Sequence, residues 1–204
     1  CIVESQVAIP FFRPDIGAEE IAAVTTCLQS GWLTTGGQVK EFEQAFKSSV
    51  KSEYALAVNS CTAALHLALE ALGLSPGQKV LVPTMTFAAT AEVVLQLGGV
   101  PVLVDCEPDT LNIDLSDAKK KVEQSLTSNP EQSVVGIMVV HYGGSMVDMD
   151  AVARFAEEYS LWVVEDAAHA FPASYKSKDQ DKVLQCGEGT SDVTCFSFYA
   201  NKTI

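Results

Sequence analysis

The sequence predicts an α/β protein with three layers, α/β/α, around a mostly parallel central sheet. Three observations carry this reading. Short continuous apolar runs recur, as in Val100-Pro101-Val102-Leu103-Val104 and Val134 to Val140, and such runs mark strands buried on both faces. Between them lie segments whose apolar residues fall at helical spacing. Helix and strand alternate along the chain, so helical crossovers join neighbouring parallel strands.

Taken in order, Ile16 to Ser30 is predicted helical, with Ile21, Val24 and Leu28 on one face. Gly31 to Gly37 reads as a loop with glycine at both ends. Val39 to Ser49 is a second helix, with Phe42 and Phe46 one turn apart, and Tyr54 to Val58 a short strand. Asn59-Ser60-Cys61-Thr62 opens a helix to about Leu72, because hydroxyl residues before an apolar periodic run are N-cap signals. Lys79 to Val82 is a strand ended by Pro83, Thr84 to Leu97 loop then helix, and Val100 to Val104 a strand. Leu115 to Leu126 is helical and is broken by Ser128-Asn129-Pro130. Val134 to Val140 is a strand, Met149 to Tyr159 a helix, Leu161 to Val164 a strand and Val193 to Phe198 the last strand. The polar stretch Tyr175 to Thr190 reads as a surface excursion.

Composition narrows the function classes. A length of 204 residues suits one domain with one sizeable core. Asp and Glu number 26 against 13 Lys and Arg, a net charge of −13, which argues against nucleic acid and anionic membrane as partners. Six cysteines are scattered without a C-x-x-C pair or a His cluster, so a zinc site is not expected and a reducing, cytoplasmic setting is. Neither a signal peptide nor an apolar stretch long enough to span a bilayer is apparent.

In a parallel sheet ligands sit at the carboxyl ends of the strands. Several chemically distinctive residues follow predicted strand ends: Thr62, Phe87, Asp166 and the Ser197 to Lys202 segment. Each has a bland reading. Thr62 and its neighbours Cys61 and Ala63 fit a simple helix N-terminus, although such a terminus also offers free N–H groups to a phosphate. Asp166 fits another N-cap, yet a carboxylate among Val163, Val164, Ala167 and Ala168 needs a partner. Phe87 fits the core, or stacking on a flat ring. His169 fits a structural group, or one turned to the same ligand. Lys202 fits a solvated surface amine, or a Schiff-base lysine. An amine, a phosphate-holding hydroxyl and a carboxylate that can pair with a pyridinium nitrogen are what a protein needs to run pyridoxal phosphate.

Eight segments in order tie these residues together: Ser30 to Gly36, Glu41-Phe42-Glu43, Asn59 to Leu69, Val82 to Thr90, Pro101 to Asp105, Asp148-Met149-Asp150, Glu165 to Ala170, and Phe196-Ser197-Phe198 before Lys202. In that register the chain resembles the N-terminal half of the DegT/DnrJ/EryC1/StrS sugar aminotransferases. These are pyridoxal-phosphate enzymes of fold type I, similar to aspartate aminotransferase.

The resemblance implies that residues 1–204 form the cofactor-binding large domain without the C-terminal small domain, and that residues 1–36 supply a helix and a substrate-entrance loop including Trp32 and Thr34. It implies that Lys202 binds the cofactor as a Schiff base and moves the proton between substrate carbon and cofactor. It further implies that Asp166 pairs with the ring nitrogen, Phe87 stacks on the ring, and Cys61, Thr62, Ala63 and Ser197 surround the phosphate. His169 would lie near the cofactor's 3-oxygen. The reaction implied moves an amino group from an amino acid, usually glutamate, to a keto-sugar nucleotide, in a homodimer, for amino- and deoxy-sugar biosynthesis. Cys61 departs from the pattern, standing where glycine is commoner, and Gln185 to Thr194 is longer than the usual link. Two other readings stay open: a dehydratase of the same family, against which Lys202 argues because those enzymes carry His there, and a non-catalytic or regulatory protein keeping the fold.

Overall fold

The computed structural model describes residue 10 and residues 12–128, 133–189 and 191–202. Residues 129 and 130 of the expected helix breaker and Thr190 at the end of the expected excursion lie outside the described residues. Elements follow one another as helices α1 (Ala18–Ser30), α2 (Gly37–Ser49) and α3 (Cys61–Ala71), strand β1 (Lys79–Pro83), α4 (Ala89–Gln96), β2 (Val100–Val104), α5 (Leu115–Ser128) and β3 (Val134–Val140). Then come α6 (Met149–Tyr159), β4 (Trp162–Ala167), β5 (Ser174–Ser177), β6 (Lys182–Gln185) and β7 (Val193–Phe196).

The central sheet has five strands in the order β2-β1-β3-β4-β7, and every pair in it is parallel. The side-chain alternation of the strands decides what each face covers. Leu81, Ile137, Val139 and Val163 point to one side, where they pack with Ala118 and Val122 of α5 and Met149, Val152 and Phe155 of α6. Val80, Val82, Met138 and Val164 point to the other, against Leu65, Ala68 and Leu69 of α3 and Val93 and Val94 of α4. Both faces are therefore covered, which explains why these strands are uninterrupted apolar runs. The three-layer architecture agrees with the fold class read from the sequence.

Caps fix the helix ends that matter most. The Ser60 hydroxyl accepts the Ala63 N–H at 3.1 Å and starts α3. Asp148 Oδ1 accepts the Ala151 N–H at 3.0 Å and starts α6. Gly17 N–H donates to Glu20 at 2.6 Å at the head of α1, and Gly31, at φ +72°, ends it.

Four expectations are corrected. Tyr54 to Val58 is not a strand: among the described residues it joins no ladder, Tyr54 and Leu56 are largely exposed, and the Ala57 N–H is taken by Glu43 at 2.9 Å. A short apolar run alone does not make a strand without a partner to pair with. The polar excursion contains an antiparallel hairpin, β5 with β6, in which Ser174 faces Gln185 and Ser177 faces Lys182. Strand β4 runs on through Glu165 and Asp166 to Ala167, so Asp166 is no helix N-cap, and no helix begins at His169. Finally, β7 ends at Phe196, two residues short of Phe198.

Candidate active site

The carboxyl ends of β1, β3, β4 and β7 open on the same edge of the sheet, since their pairing is parallel throughout. Asp166 stands at the end of β4, 5% exposed, between the Ala167 and Glu165 backbones. Its Oδ2 accepts the Thr90 hydroxyl at 2.7 Å, and its Oδ1 accepts the Ala168 N–H at 3.2 Å. The Thr86 and Thr90 hydroxyls are 2.6 Å apart. The buried carboxylate thus has a partner on each oxygen, as burial demands.

Lys202 and His169 meet at the mouth. Lys202 Nζ lies 3.0 Å from His169 Nε2, and the Gly143 N–H donates to His169 Nδ1 at 3.3 Å. With Asn201 and Gly143 these two residues line an open cleft. An imidazole whose Nδ1 accepts a hydrogen bond carries its own proton on Nε2 when neutral, so this contact is a hydrogen bond only with the uncharged, nucleophilic form of the amine. Burial and then the Lys202 charge hold the His169 pKa below its ordinary value, against a smaller opposing pull from Asp166. Gly143 and Gly144 follow β3 with φ of +59° and +85°, and a Cβ on Gly144 would come 3.0 Å from the His169 carbonyl oxygen. Glycine at 144 lets the loop pass close to the His169 backbone, while Gly143 carries its N–H to the imidazole.

The head of α3 completes this edge. Ser60 takes the Ala63 N–H and the Ser60 carbonyl takes that of Ala64, while the N–H groups of Cys61 and Thr62 belong to the first turn, whose donors have no partner within a helix. Cys61 does not point its side chain at them: its thiol reaches the Cys195 carbonyl of β7, 3.7 Å away. The side chain that replaces the commoner glycine is turned inward. Burial, together with the Asp166 charge, pushes that thiol up to about 12, with Lys202 pulling the other way. Cys61 and His169 each feel both Asp166 and Lys202, so the four groups share one electrostatic neighbourhood.

The remaining expected site residues lie further out. Phe87, in the loop after β1, is 78% exposed. The Ser197 hydroxyl, just beyond β7, accepts the Tyr199 N–H at 3.4 Å. Trp32 and Thr34 are exposed, and their loop is held locally by Trp32 Nε1 donating to the Thr35 carbonyl at 3.1 Å. Among the described residues no hydrogen bond joins Trp32 or Thr34 to Asp166, His169 or Lys202.

Two groups escaped sequence reasoning. Thr86 and Thr90 were legible only as part of a segment, because Thr86 lies in the bend before α4 and Thr90 in its first turn, and only that entry geometry brings their hydroxyls together. The second group is a buried cluster behind the site. His141 Nε2 and Glu165 Oε2 are 2.7 Å apart, and Glu165 also accepts the hydroxyls of Thr194, at 2.9 Å, and Ser191. Cys186 brings its sulfur within 4.0 Å of the same carboxylate, so three side chains of metal-binding type lie together. His141 Nδ1 accepts the Val147 N–H at 3.2 Å, which leaves Nε2 as the donor to Glu165 and spends both ring nitrogens within the protein. The arrangement accounts for itself as a hydrogen-bonded pair.

Residues 14–204 match a family model described as the DegT/DnrJ/EryC1/StrS aminotransferase family. The spore coat polysaccharide biosynthesis protein SpsC of Bacillus subtilis (strain 168) is 41% identical over 196 residues, covering 96% of this chain and 46% of SpsC. Among solved structures, Spr1654 of Streptococcus pneumoniae in its PLP form, designated a sugar aminotransferase, superposes with a TM-score of 0.84 at 32% identity, over 95% of this chain and 50% of that one. S. venezuelae DesV does so with a TM-score of 0.80 at 34% identity, over 91% and 46%. The chain spans about half the length of the relatives it matches. Among the described residues no helix is long and apolar enough to cross a membrane.

Proposed function

The chain belongs to the DegT/DnrJ/EryC1/StrS aminotransferase family, and from that premise we propose that it is the large-domain part of a pyridoxal-phosphate-dependent aminotransferase that moves an amino group from an amino acid, glutamate first, to a keto-sugar nucleotide. The observation that carries this is a buried, doubly hydrogen-bonded carboxylate, Asp166, and an amine, Lys202, whose charges both act on Cys61 and His169 at one edge of a parallel sheet.

The residues present fit such a cofactor. Each Asp166 oxygen has one protein partner and lone pairs to spare, which suits a protonated ring nitrogen. The first-turn N–H groups of α3 and the Ser197 hydroxyl suit a phosphate. An exposed phenyl ring at Phe87 suits a flat heterocycle. Pyridoxal phosphate, when bound, supplies the electron sink that lets an amino group leave one carbon for another.

The chain's own residues would do the rest. Lys202 Nζ is the nucleophile and the group that carries the proton. His169, held by the Gly143 N–H, orients that amine through Nε2. Because its pKa is lowered, His169 favours its neutral form, whose Nε2–H can donate to the free amine that acts as nucleophile. Asp166, aimed by its two hydrogen bonds, would face the ring nitrogen. Cys61 stays a neutral thiol turned into the core, leaving the first turn open. Residues 1–36, with Trp32 and Thr34, would form the substrate entrance, and the active form would be a homodimer in the cytoplasm.

The test is absorbance and activity of the full-length protein with pyridoxal phosphate. A yellow band bleached by borohydride is expected, along with amino transfer from glutamate to one member of a panel of keto-sugar nucleotides. Lys202→Ala should lose both by at least about a thousandfold in rate. Retained colour and turnover in that variant would refute the role given to Lys202.

A further inference from the structure

We propose that Thr86 and Thr90 form a one-directional hydroxyl relay that aims the Asp166 carboxylate and thereby sets how tightly and in what orientation the cofactor ring is held; this rests on the reading of Asp166 given above. The direction follows from proton counting. A threonine hydroxyl has one proton to donate. Thr90 gives its proton to Asp166 Oδ2 at 2.7 Å, so the 2.6 Å contact with Thr86 is donated by Thr86. The order is Thr86 to Thr90 to Asp166, and the two O–H bonds run in the same sense, with the Thr90 O–H ending on the carboxylate. Hydrogen bonds aligned in this way reinforce one another in a buried setting.

The relay is not the default behaviour of a helical threonine in this chain. Thr25 and Thr26 in α1 bond back to the carbonyls of Ile21 and Ala22, four residues earlier. Thr90, fully buried in the first turn of α4, reaches instead to a carboxylate 76 residues away. Its backbone is pinned by its own N–H donating to the Phe87 carbonyl at 3.1 Å. The turn that spaces the two hydroxyls is therefore the turn that presents Phe87 at the mouth. On the other side the Ala168 N–H holds Oδ1, so the carboxylate cannot rotate without losing both bonds. Its free lone pairs keep fixed directions.

The test titrates pyridoxal phosphate into the full-length apo protein and reads affinity and the visible circular dichroism of the bound cofactor, which depends on ring orientation. Thr90→Val keeps the shape and removes the relay. Its dissociation constant should rise roughly tenfold or more, with a smaller dichroic signal per bound cofactor, while Thr90→Ser stays within about threefold of wild type. Should Thr90→Val not fold, Thr86→Val, at a half-buried site, is read in its place and should change both signals in the same direction. Wild-type affinity and dichroism in the valine variant that folds, beside lost binding in Asp166→Asn, would overturn the relay and leave the reading of Asp166 standing. Unchanged binding in Asp166→Asn would overturn both.

Discussion

His169 is the residue whose behaviour the geometry constrains most tightly. It sits between the Gly143 N–H and Lys202, and its pKa is lowered first by burial and next by the lysine's charge, with Asp166 opposing. Removing the lysine's charge removes one lowering cause, so Lys202→Ala should move the His169 titration upward, toward the ordinary histidine value. Asp166→Asn should move it further down. Proton NMR of the imidazole C–H signals, assigned with a His169 variant, reads both shifts. A His169 midpoint unmoved by Lys202→Ala would show that the amine is not beside it in solution. At this scale the sequence was informative where residue type alone limits the chemistry. A carboxylate at the end of an apolar run and a lysine after another are legible without coordinates. The partners are not, because Thr90, 76 residues before Asp166, and Gly143, 26 before His169, become neighbours only through the sheet. The inward turn of Cys61 was equally hidden, since the direction of a side chain depends on what packs beneath it.

At the level of elements, the buried pair joining β3's end to β4 has the clearest consequence. Burial pushes Glu165 up, but the bonds from His141, Ser191 and Thr194 outweigh it and hold its pKa below the ordinary carboxylate value. A folded-state pKa that is lowered gives stability that is complete above the unfolded value and is lost as pH falls through the folded one. Glu165→Gln should therefore cost about 1.5–3 kcal/mol near neutral pH, as for weakened hydrogen bonds to a buried charged group. The gap to wild type should narrow as pH is lowered toward about 4, because wild type loses the same contribution. Urea unfolding at the two pH values measures it, and a gap that widens in acid would contradict the assignment. Sequence pattern located the regular elements well: β3 and α6 have the observed bounds, since each has one period and clear ends. It misjudged Tyr54 to Val58, a short apolar run that has no neighbouring strand among the described residues to complete it. It overlooked β5 and β6 because their order comes from afar. Asp150 of α6 accepts the Ser177 hydroxyl at 2.8 Å and the Lys178 N–H at 2.6 Å, pinning a turn that no local apolar period announces.

Across the whole molecule, one sheet serves two cores. Neighbouring residues of the same strand, such as Leu81 and Val82, or Ile137 and Met138, belong to opposite cores, so neither core can come apart while the strands between them stay in place. The helices on the two faces differ in sequence distance, α3 and α4 before most of the sheet and α5 and α6 within it, yet they are coupled through every central strand. α1 stands outside this arrangement: Ile21, Val24 and Leu28 form the helical face read from the sequence, but each remains 61% exposed. Cooperativity should follow these contacts. Leu69→Ala, in the core under α3, and Met149→Ala, in the core under α6, should each destabilise by about 2–5 kcal/mol, whereas Val24→Ser should change stability by less than about 0.5 kcal/mol. In both core variants Trp162 fluorescence, which reports from the α3 side, and far-ultraviolet circular dichroism should lose signal at one shared urea midpoint. A Met149→Ala protein in which the dichroism fell well before the Trp162 signal would mean that the two faces unfold separately, and the shared sheet would not be the unit that holds the site together.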